Sequence, residues 1–257
     1  MAIRTTAILN LKGGVAKTTT AINMAAILAR NYGKKVLLID ADSQCNTTEF
    51  FGGENDGDTM ATILRDAPAY DSPDSISVLA IQRTDFENID LIPGDESLMD
   101  MDLSAASQGI VDTNVLRSLV EAVESLYDYV LIDCPPAFNA ASAAALVAAD
   151  DVIIPIKLDA FSLRGMANLM RQIRNMKKIN PRLRVAGLLP TMWYKDPQIQ
   201  EAERQLKDAG LSVFHHIRRS DKVDRMTFQQ DPLLVSSPNS AAGVDYRAFV
   251  AEYVGGK

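Results

Sequence analysis

The sequence predicts an α/β fold: a doubly wound, mainly parallel sheet with helices on both faces. Three observations predict it. Apolar runs of four to eight residues recur without polar alternation, as in strands buried on both faces. Helical patterns separate these runs along the whole chain. The first run meets a glycine-rich turn that opens into a helix, the arrangement that places sites at the carboxyl ends of parallel strands.

Taken in order, the run 3–10 is β-branched and apolar and ends at Lys12-Gly13-Gly14. A helix-like run rich in Ala, Ile, Met and Leu follows over 18–30, and Gly33 is its expected left-handed stop. Val36–Asp40 is an apolar run closed by a carboxylate, a shape repeated at Tyr129–Asp133 and more loosely at 152–156. Runs 89–93, 185–189 and 211–214 are further strands. Helical patterns cover 114–126, 140–149, 163–179, 197–209 and 241–254. Residues 1–257 read as a single domain. Within it, 49–102 carries fourteen acidic and two basic residues, with turn-rich pieces such as 67–73, and reads as an acidic surface insertion.

Composition narrows the class. The 257 residues are 47% hydrophobic and 23% charged, ordinary for a globular protein and against disorder or a coiled coil. No apolar run approaches the ~18–20 residues that span a bilayer. The start, MAIRTTAILN, has no basic segment followed by a long apolar one, so no signal peptide is expected. Two cysteines, Cys45 and Cys134, are too few for a disulfide framework and fit a reducing cytoplasm, as small buried fillers. The adjacent His215 and His216 are expected on opposite faces of a strand.

The strongest motif is Lys12-Gly13-Gly14-Val15-Ala16-Lys17-Thr18-Thr19, between a strand and a helix. Glycines there let backbone N–H groups close around phosphate oxygens, and the helix N-terminus favours negative charge. Lys17 is placed to contact β- and γ-phosphates, and the Thr18 hydroxyl to ligate Mg²⁺. The pattern G-x-x-x-x-G-K-[ST] fails at both glycines, where Leu11 and Ala16 stand. A Gly-Gly turn that merely precedes a lysine-bearing helix is the plain alternative.

The segment resembles the deviant Walker A motif of the ParA/MinD ATPases, a branch of the P-loop NTPases, with Lys12, Gly13, Gly14, Lys17 and Thr18 at every fixed position. Asp40-Ala41-Asp42-Ser43-Gln44 resembles that family's switch I, and Asp133-Cys134-Pro135-Pro136 its Walker B and switch II. The resemblance implies ATP and Mg²⁺ as cofactors. It implies that Lys12 reaches a partner subunit's nucleotide, that Asp42 positions the attacking water, and that Asp40 and Asp133 act on the hydration shell of the metal. Met192 is a candidate adenine neighbour. Arg218 stands where relatives have a proline near the adenine. No C-x-x-C is present, against iron–sulfur relatives.

Charge is unevenly spread. The formal net charge is −7, yet residues 157–225 carry a net +8 and the remainder −15. A basic helix is often just a solvated face. By the resemblance, small ParA/Soj-type partition ATPases bind double-stranded DNA without sequence preference through scattered basic residues. Arg174, Lys178, Arg219, Lys222 and Arg225 are the candidates here. The same resemblance implies an ATP-bound homodimer, a ParB-like centromere-binding partner, a nucleoid-associated cytoplasmic location and no membrane, because the terminal helix 241–254 is not basic and amphipathic. With the first strand starting at residue 3, no N-terminal helix-turn-helix domain is expected. A MinD-like positioning ATPase, a metabolic or iron–sulfur enzyme on the same fold, and a DNA-binding module with negligible turnover remain alternatives.

Overall fold

The computed structural model describes residues 3–54, 57–66, 80–108 and 110–256. Its centre is a seven-stranded sheet in the order β3-β4-β2-β5-β1-β6-β7. The strands are β1 Arg4–Ile8, β2 Val36–Asp40, β3 Gln82–Arg83, β4 Ile89–Ile92, β5 Tyr129–Asp133, β6 Asp151–Lys157 and β7 Arg184–Thr191. Only β3 pairs antiparallel. Every residue of β2 and β5 is buried, which is why their sequences do not alternate. Apolar clusters lie on both faces. One gathers Leu37, Ile39, Val130 and Ile132 with helices Val115–Ala122, Ala140–Ala148 and Ala160–Met176. The other gathers Ile8, Leu38 and Leu131 with α1 (Lys17–Tyr32) and the terminal helix Ala241–Gly255. Gly33 caps α1 at φ 60°, as its sequence position predicts.

Three expectations are corrected. Residues 211–214 form no strand; they touch the sheet edge at one bridge, Leu188 to Val213. Leu188 exchanges bonds with Ser212 and Phe214, but two residues on Pro190 has no N–H to donate, and the ladder skips to Ile217 N→Pro190 O. The slack falls on the histidines, so His215 and His216 stack on each other at 5.2 Å instead of facing apart. His216 stacks in turn on Trp193 at 3.9 Å. The acidic segment also contributes to the interior: β4 pairs with β2, and α3 (Met60–Asp66) buries Met60, Ala61, Ile63 and Leu64. Its turn-rich piece 67–73 lies outside the described residues.

Asn23 ties α1 to the helices beyond it. Fully buried, it donates from Nδ2 to Thr19 O (2.8 Å) and Met226 Sδ (3.2 Å), and accepts from Leu233 N (2.9 Å). Met226 belongs to the helix Lys222–Gln229 and Leu233 to the short helix Leu233–Ser236. Asn23→Ala strands the Leu233 amide away from water. It is expected to cost about 1–3 kcal/mol in urea unfolding, with an unchanged denaturant slope. A midpoint equal to that of the wild type would contradict this account.

Candidate nucleotide-binding site

The carboxyl ends of the parallel strands open onto one cavity of about 900 Å³. Gly13, Gly14, Lys17, Thr18, Thr19 and Asp42 line it, together with Met192, Ile217, Arg219 and Tyr246. β1 sits between β5 and β6, where successive connections leave in opposite directions, and its loop into α1 forms the phosphate-sized end.

Backbone geometry explains the loop. Gly14 and Ala16 both have left-handed dihedrals, φ 67° and 68°. Glycine adopts that conformation freely, whereas Ala16 does so at about 1–2 kcal/mol. The loop holds it there: Ala16 O accepts from Thr20 N (3.0 Å) and Thr20 Oγ1 (2.7 Å), and Val15 O accepts from Thr191 Oγ1 (3.1 Å). The departure from the standard glycine is therefore a backbone cost, not a crowding one. Nothing within 4 Å would meet a Cβ at Gly13 or Gly14, so the cradle is open. Lys17, 7% exposed, begins α1.

Lys12 does not line the cavity. Its Nζ donates to both oxygens of Asp159 (3.0 and 2.9 Å) and to Ser162 Oγ (2.9 Å), with the side chain still 37% exposed. Asp159 also accepts from Ser162 N (2.9 Å) as the N-cap of the helix Ala160–Met176. Burial pushes the Asp159 carboxyl up, but the bonds from Lys12 and Ser162 outweigh it and hold it at about 2. The Asp159 carboxylate is thus charged near neutral pH.

Asp40 and Asp133 are register partners across β2 and β5, both with no exposed surface. Burial, and for Asp133 next the charge of Asp40, raises both carboxyls above the usual range. Asp40 Oδ2 accepts from Thr48 N (2.8 Å) and Thr48 Oγ1 (2.7 Å), and its Oδ1 from Asp42 N (3.2 Å). Asp133 Oδ2 accepts from Thr47 Oγ1 (2.8 Å), while Oδ1 is buried without a hydrogen-bond partner among the described residues. Thr18 and Lys17 lie near enough to favour the charged carboxylate, yet neither bonds Oδ1 within normal limits. Asp42, 7% exposed, accepts from Gln44 N at Oδ1 (3.1 Å). Among the described residues no group of three or more His, Cys, Asp or Glu side chains is placed to hold a metal ion unaided.

Elsewhere in the lining Met192 takes a left-handed turn, φ 52°. Arg218 is turned onto Asp245 of the terminal helix, with Nε→Oδ2 and Nη2→Oδ1 both 2.8 Å. The five basic candidates fall into two places. Arg219, Lys222 and Arg225 lie at or beside the cavity rim, with Lys222 paired to Asp221 at 3.2 Å. Arg174 and Lys178 lie at the far end of the helix Ala160–Met176, about 20 Å along it from Asp159. Lys178 falls just beyond that helix, whose C-cap is Lys177. Cys134 is buried as expected, but Cys45 is half-exposed at φ 53°, capping α2 (Asn46–Phe50).

Comparison with known proteins decides the family. Residues 3–185 match the family model described as an AAA domain. The chain is 38% identical to the chromosome partitioning protein ParA of Caulobacter vibrioides, over 98% of this chain and 94% of that one. It belongs to the ParA family of P-loop ATPases. A second relative, the sporulation initiation inhibitor protein Soj of Bacillus subtilis, is 34% identical over 91% of this chain and 87% of its own length. Among solved structures, a Cyanothece McdA variant in complex with ATP superposes at TM-score 0.83, with 26% identity over 99% of this chain and 97% of that one. Cobyrinic acid a,c-diamide synthase of Mycobacterium smegmatis, bound to an ATP analogue and magnesium, gives 0.79 with 27% identity over 99% and 97%. The ParA-type assignment makes this chain an ATPase of the positioning class, and its sheet is that of the family.

Four residues of the site had no sequence reading: Thr47, Thr48, Asp159 and Gly94. The Asp159-Ala-Phe-Ser162 stretch does carry a helix-start signature, but nothing local points from it to Lys12. At Gly94 a Cβ would lie 2.9 Å from Asp40 O and 3.3 Å from Asp40 Cγ, so only glycine lets the chain pass behind that carboxylate.

Proposed function

We propose that this chain is a DNA-partition ATPase acting as one P-loop domain over residues 1–257. ATP and Mg²⁺ fill the cavity, and two loaded copies close into a sandwich dimer. The dimer holds double-stranded DNA without sequence preference in the nucleoid. A ParB-like centromere-binding protein, with DNA, stimulates an otherwise slow hydrolysis that releases it.

The observation that carries this reading is Lys12. A second lysine on a phosphate loop, turned away from its own cavity and held at the surface, is placed to serve another chain's nucleotide. A cation supplied in trans stabilises phosphate charge and makes nucleotide loading and dimerisation one event.

The residues present fit the expected cofactors. The buried, unpartnered Asp133 Oδ1 and the open glycine cradle supply the acceptor and the space. Thr18 would hold Mg²⁺, with Asp40 and Asp133 ordering its waters. Bound there, the ion neutralises charge on the β- and γ-phosphate oxygens. The chain's own groups do the rest. Backbone N–H groups of 13–19 and the α1 N-terminus wrap the phosphates, and Lys17 contacts the terminal pair. Asp42, with one oxygen engaged by Gln44, turns the other to the attacking water. Met192 and Ile217 flank the base. The terminal helix buries Tyr246, Phe249, Val250 and Tyr253 in the core, so its apolar face is already covered, against a MinD-like membrane role.

The test is DNA binding by fluorescence anisotropy across a salt series, with ATP, ADP or no nucleotide. Binding is expected only with ATP, independent of sequence, and falling linearly in log K against log salt at about −0.9 per phosphate contact. Equal binding in all three nucleotide states refutes the proposal.

A further inference from the structure

Two neighbouring threonines reach two different carboxylates. Thr47 and Thr48 lie in α2, the turn of helix that follows Asp42, and both are buried. Thr47 Oγ1 donates to Asp133 on β5, 86 residues away in sequence; Thr48 Oγ1 donates to Asp40 on β2 and accepts from Gly94 N at 2.9 Å. Cys45 N→Asp42 O (3.0 Å) and Gln44 N→Asp42 Oδ1 tie the same turn to Asp42. One helical turn thereby sets the placement of all three carboxylates at the phosphate end.

The two threonines act differently. Asp40 is enclosed by four contacts: Thr48 N, Thr48 Oγ1, Asp42 N and the close backbone of Gly94. Among the described residues, Asp133 takes one side-chain hydrogen bond of normal length at its carboxylate, from Thr47 to Oδ2, with Thr18 close by, and this bond decides which oxygen is left over. A carboxylate with one donor can rotate; one whose Oδ2 is held presents Oδ1 in a fixed direction. Thr18, in the first turn of α1, lies near enough to favour the charged carboxylate.

We propose that Thr47 is a positioning residue for the cation-dependent step: by holding Asp133 Oδ2 it presents Oδ1 to the water shell of Mg²⁺ beside Thr18. The inference rests on the reading of the cavity as an ATP and Mg²⁺ site. Partners that orient a metal's outer shell are worth about 10–100-fold in metal affinity or activity. Thr47 does not touch the nucleotide, so its loss acts on the cation and leaves metal-free nucleotide binding alone.

The experiment is a Mg²⁺ titration of the affinity for a fluorescent ATP analogue, with binding in EDTA as the metal-free reference. Thr47→Val keeps the shape and removes the donor; Thr47→Ser keeps the donor. Thr47→Val is expected to raise the half-saturating Mg²⁺ concentration about tenfold, to leave the EDTA affinity within twofold, and to be rescued by Thr47→Ser. A wild-type Mg²⁺ midpoint in a folded Thr47→Val overturns the proposal. If Thr47→Val does not fold, Thr47→Ser carries the test: a folded serine variant with a tenfold shifted midpoint overturns it, and one with the wild-type midpoint supports it. Wild-type protein that binds no nucleotide in either buffer would instead refute the reading of the cavity.

Discussion

Lys12→Ala is expected to abolish ATP-dependent dimerisation and DNA binding while leaving the fold intact. In the structure Lys12 contributes nothing to its own cavity and pairs with Asp159 at the surface. Exposed ion pairs contribute about 0–1 kcal/mol, so the melting temperature of the variant should move by only a few degrees. A lysine that neutralises phosphate charge across a dimer interface is worth far more. A loss of about 10³-fold in stimulated hydrolysis is expected, at the lower end for a cation supplied in trans. Nucleotide affinity of the monomer should change little. Sedimentation with ATP, monomer ATP affinity and phosphate release together check this. An alanine variant that still dimerises with ATP would show that the lysine serves its own chain.

Asp42→Ala separates binding from turnover. Asp42 lines the cavity with one oxygen engaged by Gln44 N, so alanine removes the carboxylate proposed to orient water without touching the glycine cradle, Lys17 or Thr18. Hydrolysis is expected to fall by about 10²–10⁴-fold, the usual contribution of a positioned acid–base group. ATP binding persists, and the variant accumulates as an ATP-loaded dimer held on DNA. Single-turnover phosphate release beside ATP binding measures both. Wild-type turnover in Asp42→Ala would move the water-orienting role elsewhere. A parallel loss of ATP affinity would make Asp42 a binding group instead.

How much of this was legible in the sequence depended on distance along the chain. β2 and β5 were readable because strands buried on both faces are apolar throughout, and each ends on an aspartate that solvent-facing strands would not need. The phosphate loop was readable because its lysines, glycines and threonine fall within eight residues. Thr47 and Asp133 are 86 residues apart, Lys12 and Asp159 147 apart, and neither pair leaves a local pattern. A threonine in a short helix has no composition that says which strand it will meet. The failed strand at 211–214 has a different cause. Its own sequence suits a strand, and the obstacle is the missing N–H of Pro190 on the neighbouring one. The basic residues were counted correctly as a group, but counting could not show that Arg174 and Arg219 sit at opposite ends of the sheet.

The hold of Asp159 on Lys12 also shapes how such a protein would answer to ATP concentration. In a twofold-symmetric pair each chain gives one lysine and receives one. Leaving Asp159 breaks an ion pair in each chain, and the replacement contact exists only where the other chain is loaded. A half-loaded pair satisfies one lysine and leaves the other without its phosphate. In the proposed sandwich dimer, assembly would therefore favour two filled chains over one, and at low loading the dimer population would rise with the square of the loaded fraction. The response of such a pair would be steeper than linear, with a midpoint set by how firmly one carboxylate keeps its lysine at rest.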